Sequence, residues 1–300
     1  MHGEMSEILD NNSESCKHGG PKLEYTFKNG LLFKMLFLEY PHLLEKLAAA
    51  LLGIPLESIS SFQITSNELK MKEIGEKFCK LDSSMMLDNK RVNLEIQLES
   101  EGNYPERALF HFARIYLSSL PIGDDCSVPP RTIIISIVDF LLFDCEETHS
   151  EFKVMEVKRH IPLTDKCELH FFELPKMDNL IPSNMSCERD LWLALLNAET
   201  ERELDELVAG GGAVLSEAIQ ALRTVADSEE FRNLESLRTK ASLDEAQALI
   251  NLRKQRDEHW QGVVAEKDQV ITNQATENAK LRAQLEDLHF QLHNSNQYAP

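Results

Sequence analysis

No two of the six cysteines stand as a Cys-x-x-Cys pair, and none of Cys16, Cys79, Cys126, Cys145, Cys167 and Cys187 sits at zinc spacing from a histidine. A zinc ribbon and a thioredoxin-type centre are thereby excluded. Free thiols in a reducing compartment are expected instead, with Cys79 a buried strand thiol. Long hydrophobic runs are also missing. Nothing approaches the length of a membrane span, and the first 20 residues are acidic with no apolar centre. The expectation is a cytoplasmic protein without a signal peptide or membrane contact. Phosphate-cradling loops are absent too: Gly210-Gly211-Gly212 follows a helical stretch rather than a strand and lacks the Lys-Ser/Thr of a P-loop. There is no Gly-x-Ser-x-Gly nucleophile elbow.

Positive charge is scarce. Thirty-one Lys and Arg face 50 Asp and Glu, a formal net charge of −19. Both halves are acidic, −9 over 1–177 and −10 over 178–300. That balance argues against non-specific wrapping of DNA, where basic stripes supply most of the affinity. It leaves room for a local basic rim drawn from Lys70, Lys72, Lys77, Lys80, Lys90, Arg91, Arg107 and Arg114. The ordinary reading of each is a solvated surface of mixed charge. His111, His149, His160 and His170 show no common spacing and read as structural.

What the chain does have is a hairpin with two carboxylates. Lys80 to Leu98 reads as two strands around a turn at Asp88-Asn89-Lys90. From Arg91 the alternation is strict: Val92, Leu94, Ile96 and Leu98 on one face, Asn93, Glu95 and Gln97 on the other. With Asp88-Asn89 as the loop, Asp82 lies opposite Glu95; with Asn89-Lys90, it lies opposite Gln97. Opposed residues share a face with Cβ atoms roughly 5 Å apart. Two carboxylates that close repel unless a cation separates them. A hard divalent ion such as Mg²⁺ is held this way, by carboxylate oxygens and waters.

The order Tyr25-Thr26-Phe27-Lys28-Asn29, Leu32-Phe33-Lys34-Met35-Leu36-Phe37, Lys77-Phe78-Cys79-Lys80-Leu81-Asp82, Val92-Asn93-Leu94-Glu95-Ile96-Gln97, Pro105-Glu106-Arg107, Ile133 to Phe140 and Phe172-Glu173-Leu174-Pro175-Lys176 resembles the bacterial recombination-promoting nuclease and transposase family of the PD-(D/E)XK superfamily. The resemblance spans about residues 21–260. It implies an α/β, restriction-endonuclease-like core with a mixed sheet flanked by helices. It implies Mg²⁺ or Mn²⁺ held by Asp82, Glu95 and the Ile96 backbone carbonyl, with Gln97 in the place of the usual lysine, as is common in the family. Glu68, Arg107 and Lys80 are additional candidates, and Lys176, on the last strand of the domain, is one candidate to stand in for the motif lysine. The chain departs from the pattern at Gly30, where the family carries an acid after Phe27-Lys28-Asn29; Glu68 matches another acidic position and serves as the candidate third carboxylate.

Residues 1–20 are polar and expected to be a disordered tail. The nuclease-like domain is expected over 21–177: a helix over 34–52 ended by Gly53-Ile54-Pro55, a strand over 59–69, the hairpin over 78–98, a helix over 105–120, a buried strand over 132–143 and a strand over 167–174. In the 105–120 helix the apolar face is expected to carry Leu109, Phe112, Ile115 and Tyr116, with Arg107 and Arg114 elsewhere. A helical extension fills 178–227, with one helix over 187–208 broken by Gly210-Gly211-Gly212. A long helix follows over 228–293, and 294–300 is expected to be disordered. Val264, Ile271, Asn278, Leu285 and Leu292 recur every seven residues, with Leu281 and Leu288 between them. A 3.5-residue repeat marks a coiled coil from about 262, where Asn278 would fix the register of a homodimer.

The expected function is a metal-dependent DNA endonuclease acting in recombination or mobile-element biology. The alternative is an inactive nuclease-like scaffold that works through its C-terminal helices by oligomerising or binding protein.

Overall fold

A computed structural model describes residues 20–66, 81–100, 102–118, 130–179 and 187–296. The chain forms two compact units, 1–238 and 239–300. In the first, helices α1 (Gly30–Glu39) and α2 (Pro41–Leu52) precede strands β1 (Phe62–Ser66), β2 (Leu81–Leu87) and β3 (Lys90–Gln97). Helix α3 (Tyr104–Ser118) then leads to β4 (Arg131–Val138), β5 (His149–Lys153) and β6 (Cys167–Glu173). Helices α4 (Glu188–Asn197), α5 (Glu201–Asp227) and α6 (Glu229–Asn296) follow.

The strands form one six-stranded mixed sheet in the order β1-β2-β3-β4-β6-β5. The β1–β2, β2–β3 and β5–β6 ladders are antiparallel; β3–β4 and β4–β6 are parallel. A parallel neighbour needs a crossover, and α3 supplies it between β3 and β4. The crossover makes β3 an interior strand, covered on both faces: every residue from Val92 to Gln97 is buried.

The two faces differ. On one, Val92, Leu94, Ile96, Ile133, Ile135, Ile137 and Phe172 join the apolar sides of α1, α2, α4 and α5 in the main core. Full burial of such a side chain contributes roughly 1.5–3 kcal/mol, so this layer carries most of the stability. On the other, α3 covers a smaller cluster of Tyr104, Ala108, Ile134, Val138, Leu169 and Phe171.

The expected elements are present with several corrections. The single helix over 34–52 is two helices. Pro41 cannot donate to the preceding turn and opens α2 at its first position, while Asn29 caps α1 by accepting from the Leu31 and Leu32 amides. The helix over 187–208 likewise divides, because Thr200 and Glu203 form a capping box that starts α5. The triple glycine then kinks α5 rather than ending it: Gly212 has φ 72° and ψ −165° inside the helix, a conformation open to glycine. Strand β5 was not expected; its sequence His-Ser-Glu-Phe-Lys has no alternating apolar face, and none of its five residues is fully buried on this edge of the sheet. The buried strand over 132–143 stops at Val138. On α3 the covered residues are Tyr104, Ala108 and His111, and Leu109 is 56% exposed. Residues 67–69 of the expected first strand, and 78–80 of the hairpin, lie outside the described residues.

The second unit is the continuation of α6, in which Val264, Ile271, Leu281, Leu285 and Leu288 are all at least half exposed in the single chain. Among the described residues no helix is long and apolar enough to cross a membrane.

Candidate active site on the third strand

The hairpin turn decides the register. Asp88 adopts a left-handed φ of 52°, and its carboxylate accepts from the Ser60 and Ser61 amides at 2.9 and 3.0 Å. Asp and Asn tolerate that region better than other non-glycine residues. The loop is therefore Asp88-Asn89, and Asp82 pairs with Glu95 across the ladder. The parallel partner of Glu95 on the other side is Ser136.

Glu95 is 1% exposed. A carboxylate that deep requires a charged or hydrogen-bonding partner. Arg107, from the first turns of α3, supplies it. Its Nη2 donates to Glu95 Oε1 at 3.1 Å and to Gln97 Oε1 at 2.6 Å. The guanidinium also lies 5.4 Å from the centre of the Tyr104 ring. The Gln97 amide in turn donates to the Glu99 carbonyl at 3.0 Å. One turn along α3, His111 Nδ1 stands 3.9 Å from Glu95 Oε2. Ser136 Oγ is fully buried beside this row and has no hydrogen-bond partner among the described residues.

The strand ends add a second pair. The Asp139 amide donates to the Gln97 carbonyl at 3.0 Å, and the Asp139 carboxylate holds Lys28 Nζ at 2.9 Å. Lys28 thus sits just before Asn29, the cap of α1, with Gly30 as the first helical residue. The acid that the family pattern carries at Gly30 is absent from this helix start.

The structure brings together Glu95, Gln97 and Arg107, with Asp82 in register. Ile96 lies between the two polar residues, its side chain in the main core on the opposite face. Glu68 and Lys80 lie outside the described residues, as do Lys70, Lys72, Lys77 and Cys79. Arg107 departs from the ordinary reading of a solvated surface charge: it faces the sheet. His111 and Ser136 were missed. Two signals mark them: Arg107 and His111 are four apart and share a helix face, and Ser136 interrupts an otherwise apolar strand. Lys176 is not a stand-in for a motif lysine. Its ammonium is bound by Glu173 Oε1 at 2.6 Å and by the Phe143 and Glu147 carbonyls, each at 3.2 Å. Glu173 accepts from the Leu142 amide at 2.6 Å, so this pair fastens the 139–147 loop.

The arrangement offers a buried carboxylate on an interior strand, a second carboxylate residue directly across the ladder, and a cation bridging the first carboxylate to a neutral amide. A family model described as PD-(D/E)XK nuclease family transposase matches residues 27–251. The chain belongs to that family. No curated protein and no solved structure matches it. Family members are nucleases of the hydrolase class that typically use divalent metals. Glu95 brings a buried carboxylate and Ser136 a buried hydroxyl to one row of the sheet.

His149 and His170 form a separate stacked pair on the other face of the sheet, rings 5.2 Å apart at 11°. Burial, then the neighbouring His170 and Arg189 charges, push the His149 pKa down to about 4; burial also lowers that of His170.

Proposed function

We propose that the chain is a divalent-metal-dependent DNA endonuclease. One observation carries the reading: Arg107 bridges Glu95 and Gln97 while Glu95 pairs in register with Asp82. Asp82, Glu95 and the Ile96 carbonyl would hold Mg²⁺ or Mn²⁺, with Glu68 a further ligand. Bound there, the ion would polarise a phosphodiester oxygen and lower the pKa of a water.

The chain's own residues do the rest. Arg107 carries the positive charge that a lysine at position 97 would bring, and its planar fork suits a phosphate. Gln97 fixes that fork through its carbonyl and is itself fixed by Glu99, so its first role is to orient Arg107. An amide has further donor and acceptor capacity with which to align a water for in-line attack. His111 lies 3.9 Å from the Glu95 carboxylate on the helix side. Lys28 adds a cation at the ends of the central strands. The seam of α6 would pair two copies as a coiled coil, and two sites related by a two-fold suit cleavage of two antiparallel backbones.

Nicking of supercoiled plasmid tests this. The wild-type chain is expected to nick with Mg²⁺ or Mn²⁺ and not with chelator. Glu95→Gln and Asp82→Ala are each expected to lower the rate by about a thousandfold, the scale of losing a main electrostatic contributor. Mg²⁺ is also expected to raise the melting temperature, and Asp82→Asn to abolish that rise. Nicking that survives chelation or Glu95→Gln overturns the reading.

A second reading is an inactive scaffold acting through its C-terminal helices. Gly30 at the start of α1, and a Glu95 already neutralised by Arg107, favour it. Metal-independent folding with no nicking, in a chain that still self-associates, is its signature.

A further inference from the structure

Glu151, Glu168 and His170 converge on the sheet face opposite Glu95. His170 pairs with Glu151 across the β5–β6 ladder, and Glu168 lies two residues earlier on the same strand and face. One donor atom from each of the three falls within 4.8 Å of the others. They line a cavity of about 330 Å³. The alternation that sends Glu95 toward α3 sends these residues the other way, so the cluster owes nothing to the nuclease carboxylates.

Several observations point to a ligand. His170 is 6% exposed, lines the cavity, and its Nε2 has no hydrogen-bond partner among the described residues. Glu168 Oε2 stands 3.9 Å from it, too far for a hydrogen bond. The other ring nitrogen is occupied: His170 Nδ1 lies 3.0 Å from His149 Nε2. An ion-binding Nε2 requires the proton on His170 Nδ1, donated to His149; His149 then carries its own proton on Nδ1, and Arg189 Nη1, 3.5 Å from that atom, must turn away. Glu168 is divided in the same way. Its Oε1 takes Arg131 and Lys153, which leaves Oε2 facing His170. The Lys153 ammonium lies 2.6 Å from Glu151 Oε1 and 3.5 Å from Glu168 Oε1, a monovalent cation seated between the two carboxylates. The Lys153 side chain is 37% exposed and can withdraw to solvent.

We propose that Glu151, Glu168 and His170 form a second metal site, for a divalent transition ion of the zinc type, with Lys153 occupying the cation position when the ion is absent. One imidazole and two carboxylates select Zn²⁺ or Co²⁺ over Mg²⁺, because imidazole nitrogen is a softer donor than carboxylate or water. Three protein ligands leave a fourth position for water on the cavity side. The ion ties edge strand β5 to β6, which is the mechanical role of the site.

The test uses the full chain carrying Glu95→Gln and Asp82→Asn, which disables the nuclease carboxylates, so that this site is read alone and the nuclease reading is not at stake. Co²⁺ is added and visible d–d absorption is recorded with calorimetric stoichiometry, in excess Mg²⁺. One equivalent of Co²⁺ with the absorption of a low-coordinate nitrogen–oxygen site is expected, displaced by Zn²⁺. His170→Gln is expected to abolish it and Glu151→Gln to weaken it at least tenfold; Lys153→Met should tighten it. Should His170→Gln fail to fold, the half-exposed Glu151 still decides. No absorption in the parent, or a spectrum and affinity unchanged by Glu151→Gln and Lys153→Met, overturns the proposal.

Discussion

Strand β3 has two buried faces with opposite chemistry. Val92, Leu94 and Ile96 enter a layer of aliphatic and aromatic side chains, while Asn93, Glu95 and Gln97 enter a cleft under α3 that is equally closed. Low exposure is common to both; what differs is what the neighbours must be. The apolar face needs only complementary volume, and α1, α2, α4 and α5 provide it. The polar face needs specific donors: Arg107 for Glu95 and Gln97, Ser84 for Asn93. A fold gains little net stability from such buried ion pairs, since desolvation offsets most of the Coulomb attraction. Their presence on an interior strand is therefore best explained by chemistry.

Breaking the pair gives the largest expected effect. Arg107→Ala leaves Glu95 buried and uncompensated, and is expected to cost about 3–5 kcal/mol in urea unfolding. Adding Glu95→Gln removes the stranded charge and should recover most of the loss. Leu94→Ala, one residue away on the apolar face, should cost about 2–5 kcal/mol with no such rescue. If the double variant is as unstable as Arg107→Ala alone, the two faces hold the fold by the same means and the contrast fails.

Glu173 sharpens the comparison, being a second fully buried carboxylate on the same face, with Lys176 as its cation. Lys176→Met is expected to destabilise by about 3 kcal/mol through the same mechanism. It should leave DNA nicking, measured below the shifted melting temperature, within about twofold of wild type, because this pair fastens the 139–147 loop. Loss of nicking on the scale of Glu95→Gln would place Glu173 in the catalytic machinery instead.

The smallest effect on the nuclease unit is expected from the second unit. Removing residues 262–300 should convert a dimer to a monomer by light scattering and leave the melting temperature of the remaining chain within about 2 °C. The seam residues Val264, Ile271, Leu281, Leu285 and Leu288 are exposed in the single chain. A full-length chain that is monomeric at micromolar concentration removes the coiled coil.

Much of the sheet was legible because strand patterns are local. Strict alternation over 91–98 located β3 and sorted its faces, and the apolar run starting at Thr132 located β4. The site was half legible. Glu95 and Gln97 follow from alternation, but Arg107 reads as surface until α3 is docked, since a helix face is defined by what it packs on. His111 and Leu109 show the same limit: Phe112 and Ile115 of the expected apolar face do pack against the cluster beneath α3, but Leu109 is exposed and His111 is buried over the polar row. Strand β5 and the Thr200 capping box were missed for a different reason. Strand β5 buries none of its residues fully and so has no alternation to read, and a cap is a matter of one or two side chains set between long helical patterns.

The sequence by itself determined the family, the pairing of Asp82 with Glu95 once a two-residue Asp88-Asn89 loop is granted, and the heptad along α6, all of which depend on residues near one another in the chain. Only the tertiary structure decided which cation answers Glu95, that Lys176 answers Glu173, and that Glu151, Glu168 and His170 share a cavity on the far face. Those partners are brought together by strand order and helix docking. A buried charge accepts whichever partner the packing delivers within about 3 Å, and spacing along the chain carries no record of that choice.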